Sequence, residues 1–330
     1  MNRRLFLVGT ALGVLGTVQS AQADEAPSCS LDARYPGFYS SDFAPRGEVV
    51  LTFDDGPHPG ATPKVLDALK KHGMVATFFV VGHSITQQTY PLIQRMVNEG
   101  HTLGTHSYDH DIHLATRRGP GAVDYIVGQY LIAHLCIEIA LLARSAEHFS
   151  ELYQSVFERK AGLHLSTSEL GKNFQKYEEN HRRLLTQMGY AEGERPYPLL
   201  YARPPGGIPY LGNWGADLRV QHEKALEKLG LLNVLWHGGA GDTDRERAGD
   251  YGFLVGNLRY ASRRGGILLL HDQIKKDALG DALARMAADP EIEVVPLERC
   301  VERKFACGER ALRLALAAST KPGATLLAGR

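Results

Sequence analysis

The chain has no excess of charge of either sign: across its 330 residues, 37 Lys and Arg stand against 37 Asp and Glu. Such a balance gives no basic footprint for nucleic acid and no pull toward a strongly charged partner. Cysteine is scarce. Only Cys29, Cys136, Cys300 and Cys307 occur, and none has the spacing of a zinc site. Internal repeats are lacking. So is an uninterrupted apolar run of membrane length: the longest, from Ala122 to His148, contains Gln129, His134 and Glu138. A charge near the centre of a span costs roughly 2.5–3.5 kcal/mol even on a lenient insertion scale. That run therefore reads as a buried helix, and no transmembrane span is expected.

What remains is ordinary for a soluble globular protein, with 44% hydrophobic and 22% charged residues. The N-terminus stands apart. A basic start (Arg3, Arg4), an apolar stretch from Leu5 to Val18 and the small-x-small triplet Ala21-Gln22-Ala23 predict a signal peptide over residues 1–23. The stretch "RRLFL" is also similar to a twin-arginine export signal, although Asn2 stands where Ser or Thr is usual. An exported protein, periplasmic or secreted, is expected. Export permits disulfides, and four cysteines allow three pairings. The local expectation is Cys300 with Cys307, and Cys136 in its apolar run reads as a buried thiol.

Residues 24–47, with three prolines and two glycines, read as an irregular lead-in. Short β-rich runs then fall at 48–53, 76–81, 101–105, 199–203, 231–236, 266–271 and 292–296, and helical patterns at 62–72, 89–99, 216–229, 249–263 and 277–288. Strand followed by helix, repeated, predicts parallel strands with helical crossovers. Seven such strands favour a distorted (β/α)7 barrel, an α/β fold, with an open sheet as the alternative. The rhythm breaks over about 117–195, where a very apolar helix (Ala122 to His148) and an amphipathic one (Glu169 to Tyr190) predict a helical insertion. In the second helix Leu170, Phe174, Tyr177, Leu184, Leu185 and Met188 share a face. The barrel unit is expected to run over 48–307, and the tail 308–330, with little pattern, to be peripheral or mobile.

The chemistry-bearing residues follow the strands. "VVLTFDDGPHPG" (49–60) ends a buried run on Asp54 and Asp55, "THSYDH" supplies His106 and His110, and "YARPPGG" supplies Arg203. "GGAGDTD" supplies Asp242 and Asp244, and "LLLHD" supplies His271. Each has a bland reading. Asp-Gly-Pro can be mere turn chemistry, histidines four apart can decorate a helix, His271 can be a core histidine, and Arg203 can be a surface anchor. Parallel strands, however, open all their carboxyl ends onto one face. Two imidazoles and one carboxylate with an open fourth position make a hydrolytic zinc site. A second carboxylate can take the attacking water's proton, and a further histidine can protonate the leaving nitrogen. On this reading Asp55 is the ligand and Asp54 the base.

These motifs resemble the polysaccharide deacetylases of carbohydrate esterase family 4, the NodB homology domain. "TFDDG" (52–56) is similar to the family's first motif and "HSYDH" (106–110) to its second. "RPPG" (203–206) is similar to the third, and "LLH" (269–271) to the fifth. The resemblance implies a distorted seven-stranded (β/α) barrel holding one divalent metal ion, most often zinc, on Asp55, His106 and His110. It implies Asp54 as base braced by Arg203, and His271 as acid oriented by Asp242. The backbone N–H of Gly206 is implied to polarise the substrate carbonyl. Two positions depart from the pattern: Gly206 stands where an aromatic is usual, and Thr243 follows Asp242 where Trp is usual, leaving Asp244 as an alternative partner. The implied activity is deacetylation, chiefly of the N-acetyl groups of an amino-sugar polymer such as peptidoglycan or a chitin-like glycan. The alternatives are a non-catalytic carbohydrate-binding protein of the same fold and a hydrolase of small cyclic amides. A glycosidase would leave the two histidines without a role. The insertion, leaving and re-entering near His110 and Arg203, is expected beside the site as a substrate-selecting element, or alternatively packed on the barrel's flank.

Overall fold

The computed structural model describes residues 29–31, 44–211 and 215–319; the expected signal peptide and most of the expected lead-in lie outside them. The first half of the barrel alternates as expected: β1 (Glu48–Asp54), α1 (Thr62–Lys71), β2 (Thr77–Val80), α2 (Tyr90–Asn98) and β3 (Thr102–Thr105). Four helices follow: α3 (Ala122–Leu142), α4 (Ala146–Phe157), α5 (Thr167–Lys172) and α6 (Phe174–Gln187). Next come β4 (Tyr201–Ala202), α7 (Val220–Leu229), β5 (Leu232–Asn233), β6 (Gly238–Gly239), α8 (Tyr251–Arg264) and β7 (Gly266–His271). The described chain ends with α9 (Lys276–Ala288), β8 (Glu293–Val294), α10 (Leu297–Phe305) and α11 (Glu309–Ser319).

All strand pairs are parallel, in the order β5-β4-β3-β2-β1-β7-β6, with β8 joined to the first two residues of β1. β1 is central and buried from Val49 to Asp54. The edges β5 and β6 are consecutive in the chain, so residues 234–237 carry the sheet from one edge to the other. The barrel is thus closed on this side by covalent chain, with no β5–β6 ladder among the described residues. One strand is expected over 231–236; the structure instead has β5 there and β6 beyond it. Gly238 and Gly239 carry no side chain for a pattern to register. Glycine is required at 239, because a Cβ there would stand 2.6 Å from the Leu269 carbonyl oxygen.

The expected helix over 122–148 is two helices. α3 stops at Leu142, and Ser145 starts α4 by accepting from the His148 amide, the usual role of an N-cap serine. α3 is apolar all round because both sides are covered. The barrel, through α2, α7 and the turn at 82–84, lies on one side, and α4, α5 and α6 on the other. It is the one described helix long and apolar enough to cross a membrane, yet 89% of that window is buried in the fold. Gly128 permits the close approach of α5, since a Cβ there would meet the Leu170 carbonyl oxygen at 1.7 Å. The second expected helix breaks at Asn173 into α5 and α6; Leu170, Phe174, Tyr177 and Leu185 on its apolar face are buried.

The charges inside α3 are satisfied at the far end of the insertion. Arg195 Nη2 donates to Glu138 Oε2 at 2.7 Å and Nη1 to Glu178 Oε1 at 2.8 Å, all buried. The Tyr197 amide donates to Glu138 Oε1 at 3.2 Å. Buried carboxylates need such partners, and here the pairing ties residue 195 to both α3 and α6.

One disulfide differs from expectation. Cys29 bonds Cys307 across 278 residues, and Cys300 remains a buried thiol. Cys300 lies on the inner face of α10 among Val301 and Phe305 in the core, whereas Cys307 lies beyond the helix end, within reach of the lead-in. Cys136 is a buried thiol, as its apolar surroundings predict. After Cys307 the chain forms α11, with Leu312 and Leu316 buried.

Candidate active site and metal centre

Because every strand is parallel, the residues that follow β1, β3, β4 and β7 emerge at one end of the barrel. Asp54 is the last residue of β1, and Asp55 turns away from it at a left-handed φ of 74°. His106 follows β3 directly and His110 sits at φ 58° in the next loop. These histidines are on a loop and not on a helix face. Residues of this kind rarely take positive φ, and such outliers cluster at functional sites.

Asp55, His106 and His110 bring one potential ligand atom each to within 4.8 Å of the others. Asp55 Oδ1 lies 3.1 Å from His110 Nε2 and 3.5 Å from His106 Nε2. That oxygen is buried and has no hydrogen-bond partner among the described residues. His106 Nδ1 donates to the Arg203 carbonyl oxygen at 2.8 Å, which leaves the Nε2 lone pair facing Asp55, as metal-binding histidines are typically arranged. The residues therefore fit a divalent cation: a possible Asp-His-His metal site.

Ionisation agrees. Burial pushes the His106 pKa down, only partly offset by Asp54 and Asp55, so its imidazole is held neutral. For Asp55 burial works upward, but the close approach of His110 and the charges of His106, His110 and His271 prevail and bring it to about 2. The Asp55 carboxylate, 3.1 Å from its Nε2, raises the pKa of His110 against the opposing effect of burial.

Asp54 is buried on the other side. Its Oδ1 accepts from Arg203 Nη1 at 2.7 Å, and its Oδ2 lies 3.7 Å from His106 Nε2. Arg203 is fully buried and no surface anchor. The same guanidinium donates from Nη1 to Thr52 Oγ1 at 2.8 Å and from Nε to the Val234 carbonyl at 2.9 Å. Its Nη2 reaches the Leu235 carbonyl at 3.4 Å, and its Cζ stands 4.0 Å from the centre of the Phe79 ring. Val234 and Leu235 belong to the chain joining the two sheet edges, so this one side chain braces Asp54 and fills the seam of the barrel.

His271 ends β7. Asp242 Oδ2 accepts from its amide at 2.7 Å, and Asp242 Oδ1 lies 3.1 Å from its Nδ1. Of the two candidate partners the structure brings Asp242 to His271, while Asp244 accepts from the amides of Glu246 and Arg247. Burial disfavours the imidazolium of His271, but the bond and charge of Asp242, with Asp54 and Asp55, raise its pKa overall. Gly206 lies exposed in the turn after Arg203 at φ 65°.

Two neighbours were not legible as site residues. Thr52 receives Arg203 and donates to the Leu268 carbonyl at 2.7 Å. Asp272 is buried behind the first turn, hydrogen-bonded by the Thr62 hydroxyl, and burial pushes its pKa up to about 7. A Cβ at Gly56 would stand 2.3 Å from the Asp272 carboxylate. Asp272 is thus the reason glycine follows the paired aspartates.

The model of the polysaccharide deacetylase family matches residues 43–123. Over this segment the chain is similar to the polysaccharide deacetylases. The chain is 48% identical over 81 residues to the peptidoglycan-N-acetylmuramic acid deacetylase PdaA of Bacillus subtilis, covering 24% of this chain and 30% of that protein. It is 53% identical over 62 residues to the peptidoglycan-N-acetylglucosamine deacetylase PgdA of Listeria monocytogenes, covering 19% and 13%. It is 38% identical over 94 residues to the chitooligosaccharide deacetylase of Azorhizobium caulinodans, covering 28% and 43%. The matched segments thus span less than half the length of these curated relatives. The solved structure of Bacillus subtilis PdaA, a family 4 carbohydrate esterase, superposes with a TM-score of 0.50 at 22% identity, covering 81% of this chain and 86% of that one. That likeness supports the curled parallel barrel. The family match ends at 123, as α3 begins, so it takes in Asp54, Asp55, His106 and His110. Arg203, Asp242 and His271 lie beyond it and are placed at the site by geometry alone.

Proposed function

We propose that this protein is a zinc-dependent polysaccharide deacetylase that removes N-acetyl groups from an amino-sugar polymer, peptidoglycan or a chitin-like glycan, outside the cytoplasm. The observation that carries the reading is the convergence on one barrel mouth of three ligand atoms with a carboxylate on one side and a histidine on the other. The substrate class is supported by the deacetylases this chain is similar to, and export by the basic, apolar and small-residue order of the N-terminus.

Asp55, His106 and His110 would hold the ion, and two imidazoles with one carboxylate suit zinc. When bound, zinc supplies Lewis acidity to the acyl carbonyl and lowers the pKa of the attacking water. Asp54 takes that water's proton. Arg203 holds Oδ1, which fixes the carboxylate and leaves Oδ2 toward the ligands. The backbone N–H of Gly206 donates to the acyl oxygen as negative charge develops there. His271, with Nδ1 engaged by Asp242, delivers a proton from Nε2 to the departing amine nitrogen.

The purified protein with one equivalent of zinc should release acetate from N-acetylated chitooligosaccharides or from peptidoglycan. A chelator should abolish release, and added zinc should restore it. Stoichiometric zinc with no acetate from any glycan in the panel would favour the non-catalytic carbohydrate-binding alternative.

A second expectation concerns the acid. Since Asp242 supports the protonated imidazole, Asp242→Asn should lower the pKa of His271. The sign follows: the acid is active while protonated, so the alkaline limb of kcat/KM should move to lower pH. Above the displaced limb the variant should lose most of its activity while the acidic limb stays in place. An unmoved alkaline limb would remove His271 from the role of acid.

A further inference from the structure

We infer that Gln129 of α3 is a positioning residue for the metal site, fixing the peptide loop that sets the spacing of His106 and His110. The inference rests on the proposed Asp55-His106-His110 site and adds to it a part for the insertion.

Gln129 is fully buried in the middle of the most apolar helix of the chain. A buried amide is costly unless its bonds are made, and the helix itself has no use for it. All of its hydrogen-bonding capacity is spent on the loop and on the polar groups that support it. Oε1 accepts from the amides of Tyr108 at 2.9 Å and Asp109 at 3.2 Å, two consecutive residues between the two histidines. Nε2 donates to Asp109 Oδ1 at 2.7 Å and to the Tyr125 hydroxyl at 2.8 Å. That hydroxyl in turn donates to Asp111 Oδ2 at 3.2 Å.

The barrel grips the same peptides from the other side. Gly82 donates its amide to the Ser107 carbonyl at 3.0 Å, and His83 to the Tyr108 carbonyl at 2.8 Å. His83 Nδ1 meets that same carbonyl at 2.9 Å. The loop needs holding. Ser107 at φ 72° and His110 at φ 58° both sit in the left-handed region, which such residues leave when nothing external retains them. On the insertion side, Gln129 is the side chain that accepts from the loop's backbone amides, while the Leu165 amide holds the Tyr108 hydroxyl at 3.2 Å.

The test is zinc affinity, measured by competition with a chromophoric chelator, together with the visible absorption of the cobalt-substituted protein. Gln129→Met keeps the length and removes every bond. It should weaken zinc binding on the order of 10–100-fold, as loss of a supporting shell does, and alter the cobalt bands. Gln129→Asn keeps an amide that no longer reaches both amides of the loop, so it should weaken binding in the same direction even if the methionine variant fails to fold. Leu135→Ala, a core change on the same helix, should lower the melting temperature at unchanged zinc affinity and unchanged cobalt bands. Gln129→Met or Gln129→Asn protein that melts earlier yet binds zinc as tightly as the unaltered chain, with the same cobalt spectrum, would make Gln129 an ordinary core residue and overturn the inference. No zinc or cobalt bound by the unaltered chain would overturn the inference together with the metal site it rests on.

Discussion

Asp54→Asn should leave the zinc in place and remove nearly all turnover, a loss on the order of 10²–10⁴-fold for a missing general base. The substitution conserves shape. The asparagine oxygen can still accept from Arg203 Nη1, which now lies 2.7 Å from Asp54 Oδ1, and the three ligands are not touched. Only the ability to take a proton is lost. A second effect accompanies it. Arg203 is fully buried, and burial alone already presses its pKa below the usual value, with Asp54 opposing. Neutralising Asp54 leaves that cation without its counter-ion, and breaking a buried pair on one side typically costs about 3–5 kcal/mol. The bonds from Arg203 to Thr52, Val234 and Leu235 should keep the loss toward the lower end. Activity must therefore be read well below the melting temperature, with zinc content measured in the same preparation. Undiminished turnover at full zinc would move the base elsewhere.

The double use of Arg203 shows what sequence reasoning reaches and where it stops. That Arg203 closes a strand at the carboxyl end of the barrel is readable from the apolar run before it. That it also spans the seam between β5 and β6 is not, because the seam itself is silent in the sequence. Two glycines form β6, and the β5 pattern continues through Leu235 and Trp236, where the chain has already left the ladder. Periodicity reports which residues want burial, and Leu235 is buried without being strand.

The site residues on long, regular strands were legible for the opposite reason. β1 and β7 are buried apolar runs that end abruptly in a charged residue, so Asp54, Asp55 and His271 announce themselves. Asp242 was legible only through family spacing, since the loop that carries it has no pattern of its own. Gln129 was visible as a polar break in an apolar helix, yet its partner loop lies some twenty residues away in the chain. Only the fold brings the two together. The Cys29–Cys307 bond was hidden in the same way, by a separation of 278 residues over which no local rule operates.

Asp55→Ala and His106→Ala should each abolish stoichiometric zinc binding and turnover together, while the barrel stays folded. The ligands stand at the rim, where strand ends meet loops, and a site on a rigid scaffold tolerates such change better than the core does. His106→Ala costs more than Asp55→Ala in stability, because His106 is buried and its Nδ1 satisfies the Arg203 carbonyl. Unpairing that acceptor typically costs about 1–3 kcal/mol. Asp55 gives the cleaner test: its Oδ1 has no hydrogen bond to lose among the described residues. Zinc must compete with protons for these groups, and they do not compete equally. His106 is held neutral by burial and Asp55 is held ionised near pKa 2. His110, raised by Asp55, is the ligand that protonates first on acidification. Zinc affinity of the unaltered protein should therefore fall with pH by the uptake of roughly one proton per ion. Circular dichroism and zinc titration on the two variants decide the matter. Full zinc occupancy in both would reject the Asp55-His106-His110 site, whereas zinc lost at Asp55→Ala and kept at Asp54→Asn would divide the paired aspartates into ligand and base.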